Sequence, residues 1–260
     1  MCDTCGCSSN EPSSVTLLAE PGAGHSHTHS HPVQVVEGEQ RMQLSESLLN
    51  ANNRIAAHNR EHFQRQQILA LNLISAPGSG KTTLLEATLN ALKGRTPCAV
   101  IEGDQATHND AERIRATGFP VVQVNTGSGC HLEANMVHDA CHQLPLQDHS
   151  LLFIENVGNL VCPSLFDLGE AKKVAMLSVT EGDDKPLKYP HIFRASEIVI
   201  INKCDLLPYV NFDLERCCQW IKELNPKAEI LTLTATDPTT LQAWLDLLIS
   251  LSAPGEERSA

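Results

Sequence analysis

The segment Ile68–Leu85, ILALNLISAPGSGKTTLL, constrains the chain more than any other. Ile68, Leu69, Leu71, Leu73 and Ile74 make a short apolar run of strand length. Ser75-Ala76-Pro77-Gly78-Ser79-Gly80 can continue neither a strand nor a helix, and Lys81-Thr82-Thr83 opens a helix that buries Leu84, Leu85 and Leu89. Strand, glycine-rich turn and helix N-terminus in that order form a phosphate-binding loop. Its backbone N–H groups face an anion, Lys81 neutralises the terminal phosphates, and the Thr82 hydroxyl can ligate Mg²⁺. The general pattern G-x-x-x-x-G-K-[ST] is met except at its first position, where Ser75 stands for glycine.

Beyond this loop, short apolar strands alternate with helical segments. Strands are expected at Cys98–Glu102, Val121–Val124, Leu151–Glu155, Val174–Val179, Ile198–Ile201 and Ile230–Leu233. Helices are expected at Asn109–Ala116, Leu132–Gln143, Pro186–Ala195, Leu214–Glu223 and Thr240–Leu251. The pattern predicts an α/β P-loop NTPase fold, a mostly parallel sheet with helices on both faces. Function then collects at the carboxyl ends of the strands. Four parts are expected: a disordered Cys/His-rich tail over 1–35, a helix over 36–67 packed on the nucleotide domain, that domain over 68–252, and a flexible terminus over 253–260. Nothing in the 36–67 helix suggests chemistry. The length of 260 residues and 42% apolar content suffice for such a domain, and the net charge of −12 argues against non-specific nucleic-acid binding. No apolar run is long enough to span a bilayer and no secretory leader is recognisable, so a cytoplasmic protein without membrane contact is expected.

The strand ends carry further candidates. Asp104 follows Ala99-Val100-Ile101, and Glu155 ends Leu151-Leu152-Phe153-Ile154. Two carboxylates beside a phosphate loop are what Mg²⁺ requires. Gly158 lets a backbone N–H approach a terminal phosphate and lets its loop move when that phosphate leaves. Asn202-Lys203-Cys204-Asp205 follows Ile198-Val199-Ile200-Ile201. A carboxylate at Asp205 accepts from N1 and N2 of guanine, a donor pair that adenine lacks. Asn202 can tie this loop to the phosphate loop, the Lys203 stem can cover the base, and Thr234-Ala235 can reach its O6. GTP is therefore favoured over ATP. The nucleotide contacts are expected from Pro77, Gly78, Ser79, Gly80, Lys81, Thr82, Thr83, Gly158, Asn202, Lys203, Asp205, Thr234 and Ala235. Lys81, Thr82, Asp104 and Glu155 are assigned to catalysis. No general base or arginine finger is evident, which fits slow turnover or activation by a partner.

Cysteine and histidine supply metal candidates. Ten cysteines in an α/β nucleotide-binding chain point to buried thiols and metal ligands in a reducing compartment. Cys2, Cys5 and Cys7 can close around one soft ion, with a nitrogen or water as fourth ligand; a square-planar nitrogen donor would favour Ni²⁺. His25, His27, His29 and His31 alternate, so an extended chain lines them along one edge as a weak nickel buffer. Cys130 starts a predicted helix, whose dipole favours a thiolate, and with His131 and Cys162 offers three good ligands if their loops meet. Buried thiols and a capping histidine remain the alternative. Cys98, Cys141, Cys204, Cys217 and Cys218 read as core or surface thiols.

These runs together resemble the HypB family of nickel-incorporation GTPases that serve NiFe hydrogenases, a SIMIBI-class P-loop family. The marks are Cys2-x-x-Cys5-x-Cys7, Ser75–Thr82, Ile101-Glu-Gly-Asp-Gln105, Asn125–Leu132, Phe153–Asn159, Val161-Cys-Pro163, Ser178-Val-Thr-Glu-Gly182 and Asn202–Asp205. Serine at the first loop position is normal in that family. The resemblance implies a tight nickel site at the cysteine-rich start and a Ni²⁺ or Zn²⁺ site of Cys130, His131 and Cys162 at a dimer interface. It implies a nucleotide- or metal-dependent homodimer. The implied partners are a zinc-binding co-chaperone, a nickel-binding prolyl isomerase and the hydrogenase large-subunit precursor. The implied activity is slow hydrolysis of GTP to GDP coupled to nickel delivery. Two alternatives are a nickel reservoir whose tail is the main function and a urease-type maturation GTPase.

Overall fold

The computed structural model describes residues 14–17, 38–104 and 109–253. The tail cysteines Cys2, Cys5 and Cys7 and the histidines His25, His27, His29 and His31 lie outside the described residues. Elements follow in the order β1 (Ser14–Leu17), α1 (Gly38–Arg65), β2 (Leu69–Ser75), α2 (Lys81–Leu92), β3 (Cys98–Asp104) and α3 (Asn109–Ala116). Then come β4 (Val121–Asn125), α4 (Ala134–Cys141), β5 (Leu151–Glu155), α5 (Cys162–Leu165) and β6 (Lys172–Ser178). The chain continues with α6 (Lys185–Lys188), α7 (Pro190–Ala195), β7 (Ile198–Asn202), a 3₁₀ turn (Cys204–Tyr209), α8 (Leu214–Leu224), β8 (Glu229–Thr232) and α9 (Pro238–Ser252).

The strands form one sheet in the order β1-β4-β3-β5-β2-β6-β7-β8. β2 to β8 pair in parallel. β1 pairs antiparallel with β4 at the edge. The composition of 1–35 predicts no ordered element, yet Ser14–Leu17 supplies one. Val15 and Thr16 are β-branched, and the β4 edge offers backbone groups that a neighbouring strand can pair in place of water.

Alternation along each strand divides the core. Leu71, Leu73, Val100, Phe153, Met176 and Ile200 point to the face covered by α2, α3 and α9. Ala70, Ile101, Val122, Leu152 and Ile154 point to the opposite face, against Phe63 of α1 and Val137 of α4. Ala175, Leu177, Val199 and Ile201 fill the rest of that face against Ile192, Phe193 and Ile221. Trp244 is fully buried, and its indole N–H donates to Thr88 Oγ1 at 3.0 Å, so the largest core side chain leaves no polar atom unpaired.

Three expected boundaries move for local reasons. The single helix expected over Pro186–Ala195 is two short ones, because Pro190 has no N–H to continue the first. β3 extends through Gly103 and Asp104, since its partner β4 continues to Asn125. The helix expected from Leu132 begins at Ala134, with Glu133 as its N-cap. Cys130 therefore lies in a loop and not at a helix start.

Helix α1 is fastened across the sheet face by polar side chains. Asn52 Nδ2 donates to Asp167 O at 2.8 Å, Asn59 Nδ2 donates to Ala134 O at 2.9 Å, and Arg60 pairs with Asp167 at 2.7 Å. Gly169 permits this approach. Its φ is +90°, and a Cβ there would lie 2.7 Å from Ala56 O and from Asn59 Cβ. Gly169→Ala is expected to destabilise the protein by about 2–4 kcal/mol through backbone strain and overpacking, read as a shift in the urea midpoint. An unchanged midpoint would mean that α1 yields without cost.

Candidate nucleotide and metal centre

Topology brings three strand ends together. β5 sits between β3 and β2, so the phosphate loop after β2, Asp104 at the end of β3 and Glu155 at the end of β5 border one cavity of about 500 Å³. Pro77, Gly78, Gly80, Lys81, Thr82 and Thr83 line it, as do Glu102, Asn156 and Gly158. Ser79 lies beneath this wall. Its hydroxyl lies 2.7 Å from both Ala76 O and Glu181 Oε1 and gives its single proton to one of them, and Glu181 also accepts from Ser178 N. Lys81 is almost fully buried and donates to Ser75 Oγ at 2.9 Å. The serine that departs from the general loop pattern thus holds the lysine ammonium in place.

Thr82 Oγ1 donates to Glu155 Oε1 at 2.8 Å. The β3–β5 register sets Glu102 directly beside Glu155. Glu102 was not foreseen as a functional residue. Its signal is the two-residue spacing to Asp104, which puts both side chains on one face of an otherwise apolar strand. Burial, and then Glu155 and Asp104, push the Glu102 carboxyl up to about 9; burial also raises Glu155, against Lys81 and the Thr82 hydrogen bond. Glu102 Oε2 and Glu155 Oε2 are buried with no hydrogen-bond partner among the described residues. A hard divalent cation is the group that satisfies such oxygens, so the donor set fits Mg²⁺.

Without a cation, folded Glu102 holds a proton that the unfolded chain releases between about pH 4.5 and 9. Its contribution to stability therefore falls as pH rises through that window. Glu102→Gln is expected to stabilise the metal-free protein by about 2 kcal/mol at pH 8 and much less at pH 5. Urea unfolding in a chelator checks this; equal effects at both pH values would remove the buried-carboxylate account.

The phosphate loop and the loop after β8 are tied together by Asn202. Its Nδ2 donates to Ser79 O at 2.9 Å, and its Oδ1 accepts from Ala235 N at 3.0 Å. Gly80 has φ +97°, and a Cβ there would fall 2.7 Å from Asn202 Nδ2, so only glycine allows the two loops to close. Lys203 takes a left-handed conformation at φ +61° and donates to Gly78 O at 2.7 Å, laying its stem across the phosphate loop. Asp205 N donates to Thr234 Oγ1 and that hydroxyl donates to Asp205 Oδ1, both at 3.0 Å. Arg113 also lines the cavity, but its guanidinium is held by Glu86, Asp110 and Thr83.

The second centre lies beside the first. Ligand atoms of Cys130, His131 and Cys162 all fall within 4.8 Å of one another. Cys130 Sγ and His131 Nδ1 are 3.7 Å apart, close to the roughly 3.6 Å that a sulfur and a nitrogen sharing one tetrahedral ion would show. Burial lowers His131 to about 4, so its ring is neutral and free to ligate at pH 7. Stacking on Phe166, with centroids 3.9 Å apart, orients the ring. The loop is stapled by Gly129 N to Thr126 O at 2.8 Å, Thr126 Oγ1 to Gly129 O at 2.8 Å, and Asn159 Nδ2 to Cys130 O at 3.4 Å. Cys98, Cys141 and Cys217 are instead pushed up to about 12 by burial, as inert thiols should be.

One side chain links the cavity to the loop that carries His131. Asn156 lines the cavity, and its Oδ1 accepts from Leu132 N at 3.1 Å and from Val157 N at 3.0 Å. The segment from Asn156 through Gly158, which packs on Pro77, ends at Cys162. Asn156 carried no role of its own from sequence, although it lies between Glu155 and Gly158, both of which did.

Residues 69–232 match the family model CobW/HypB/UreG, nucleotide-binding domain. Hydrogenase maturation factor HypB of Escherichia coli (strain K12) is 55% identical, the alignment covering 86% of this chain and 77% of that protein. The crystal structure of hydrogenase maturation factor HypB from Archaeoglobus fulgidus superposes with a TM-score of 0.74 at 38% identity, over 78% of this chain and 100% of that one. The crystal structure of HypB from Helicobacter pylori in complex with nickel superposes with a TM-score of 0.73 at 40% identity, over 78% of this chain and 95% of that one. The phosphate loop, the fold around it and this degree of identity together mean that the chain belongs to the HypB family of hydrogenase maturation factors, within the SIMIBI class of P-loop GTPase folds.

Proposed function

We propose that the chain is a slow GTPase that carries nickel and hands it to the large-subunit precursor of a NiFe hydrogenase, with metal release governed by the nucleotide. The observation that carries this is the segment Asn156–Cys162, which begins in the phosphate cavity and ends at the metal trio, with Asn156 hydrogen-bonded to Leu132 beside His131. A change at the phosphate end is transmitted to the ligands through that side chain and its short loop.

In this reading Lys81 and the loop N–H groups bind the β- and γ-phosphates, and Asp205 and Thr234 select guanine. Thr82, Asp104 and Glu155, joined by Glu102, would hold Mg²⁺, which supplies charge neutralisation on the phosphoryl oxygens. Lys81 withdraws charge from the leaving diphosphate, while Asn156 and Gly158 fix the wall beside the reacting phosphate. Cys130, His131 and Cys162 hold Ni²⁺, or Zn²⁺ in its place. Thiolate and imidazole donors suit both ions. The tail cysteines and histidines are further nickel ligands in this reading. Exposed Val161 and Leu165 flank Cys162, an apolar rim that supports a homodimer formed through the metal face. The zinc-binding co-chaperone and the nickel-binding prolyl isomerase would meet the chain in the cytoplasm.

The test is nickel affinity of the full chain with Cys2, Cys5 and Cys7 replaced by Ser, measured by chelator competition with GDP and with a non-hydrolysable GTP analogue. A difference of fivefold or more is expected, and linkage then requires nickel to bias nucleotide binding equally. Equal affinities would leave a passive metal clip and sink the switch.

A further inference from the structure

A second group of imidazoles lies on the sheet face away from the phosphate cavity, where α1 crosses α4. His138 and His142 are four residues apart on α4, so they share one helix face. Their Nε2 atoms are 3.2 Å apart. Two imidazole nitrogens bound in adjacent positions on one ion, each at about 2.1 Å, stand about 3.0–3.4 Å apart, so the pair already has the spacing of a chelate. His58 of α1 rests edge-on against His138, with ring centroids 5.3 Å apart. The His138 and His142 rings are themselves perpendicular, at 4.6 Å.

The surroundings favour a cation. His142 caps the C-terminus of α4, where the helix dipole is negative. An adjoining cavity of about 250 Å³ is lined by these four imidazoles, counting His62, by Gln66 and by an apolar wall with Cys141, whose thiol burial pushes up to about 12 and keeps neutral. Gln66 Oε1 is buried there with no hydrogen-bond partner among the described residues. Burial, and then the neighbouring Arg65, hold His62 below the ordinary histidine range, and the Arg65 charge would oppose a cation beside that ring.

We propose that His138 and His142 chelate a first-row divalent transition metal, and that His58, whose ring nitrogens stand beyond joint ligand distance in this conformation, turns its exposed side chain to join them and clamp α1 to α4. Water completes the coordination on the open side, since His58 and His142 are exposed. Imidazole donors without thiolate select Zn²⁺, Ni²⁺, Co²⁺ or Cu²⁺ by availability and bind more weakly than the Cys130–Cys162 centre. The site is independent of the nucleotide reading, because none of its residues borders the phosphate cavity.

The experiment compares the full chain with the full chain carrying H138Q and H142Q. Zn²⁺ stoichiometry is read by equilibrium dialysis, and diethylpyrocarbonate labelling of each histidine is read by peptide mass mapping. The parent chain is expected to bind one more equivalent than the double variant. Zn²⁺ is expected to slow labelling of His58, His138 and His142 at least tenfold in the parent. Both changed histidines reach solvent, so the variant should retain its circular dichroism and its GTP hydrolysis. Equal stoichiometry in the two chains, or labelling unaffected by Zn²⁺, would overturn the site. Protection of His138 and His142 without His58 would overturn the clamp across the helices.

Discussion

Lys81→Ala is expected to lower GTP hydrolysis by the full chain about 10²–10³-fold and to weaken binding of a fluorescent GTP analogue. The effect is large because Lys81 acts on more than the phosphates. Its ammonium stands in the cavity with Glu102 and Glu155 and lowers the pKa of both. Removing it leaves those carboxyls still harder to ionise, so Mg²⁺ binding weakens together with phosphate binding. Lys81→Arg should not restore activity. The lysine is nearly buried with its tip on Ser75 Oγ, and a planar guanidinium does not fit that point contact. Phosphate release within tenfold of the parent would refute a catalytic loop.

Cys162→Ser, made in the chain whose tail cysteines are already serine, is expected to reduce nickel affinity at least about 100-fold. A hydroxyl is a hard, neutral donor where the trio offers a soft anionic one. The other two ligands are adjacent in the chain, so Cys162 is what closes the site across loops. Cys218→Ser, on the half-buried side of α8, serves as control and should leave nickel binding unchanged. The same variant should abolish any difference in nickel affinity between GDP and the GTP analogue, since Cys162 ends the segment that starts in the phosphate cavity. Unchanged affinity would move nickel binding off the Cys130–His131–Cys162 centre.

The sequence by itself determined the phosphate loop, the strand–helix alternation and the Asn202–Asp205 loop after β7. Each of these is local. Ser75–Thr82 bends between a strand and a helix wherever it sits, and Asn202–Asp205 follows an apolar strand directly. Glu102 was partly legible, because its two-residue spacing to Asp104 survives in the sequence, but its weight comes from the register that sets it against Glu155. Other features exist only in three dimensions. The strand β1 depends on an edge left open by β4. Cys130 and His131 meet Cys162 because β5 inserts between β3 and β2, which no spacing encodes. His58 meets His138 only because α1 crosses α4, although α1 read as a helix without chemistry. Local chemistry follows from neighbours in the chain, whereas a ligand set drawn from separate loops follows from strand order, and strand order is settled by packing the whole sheet at once.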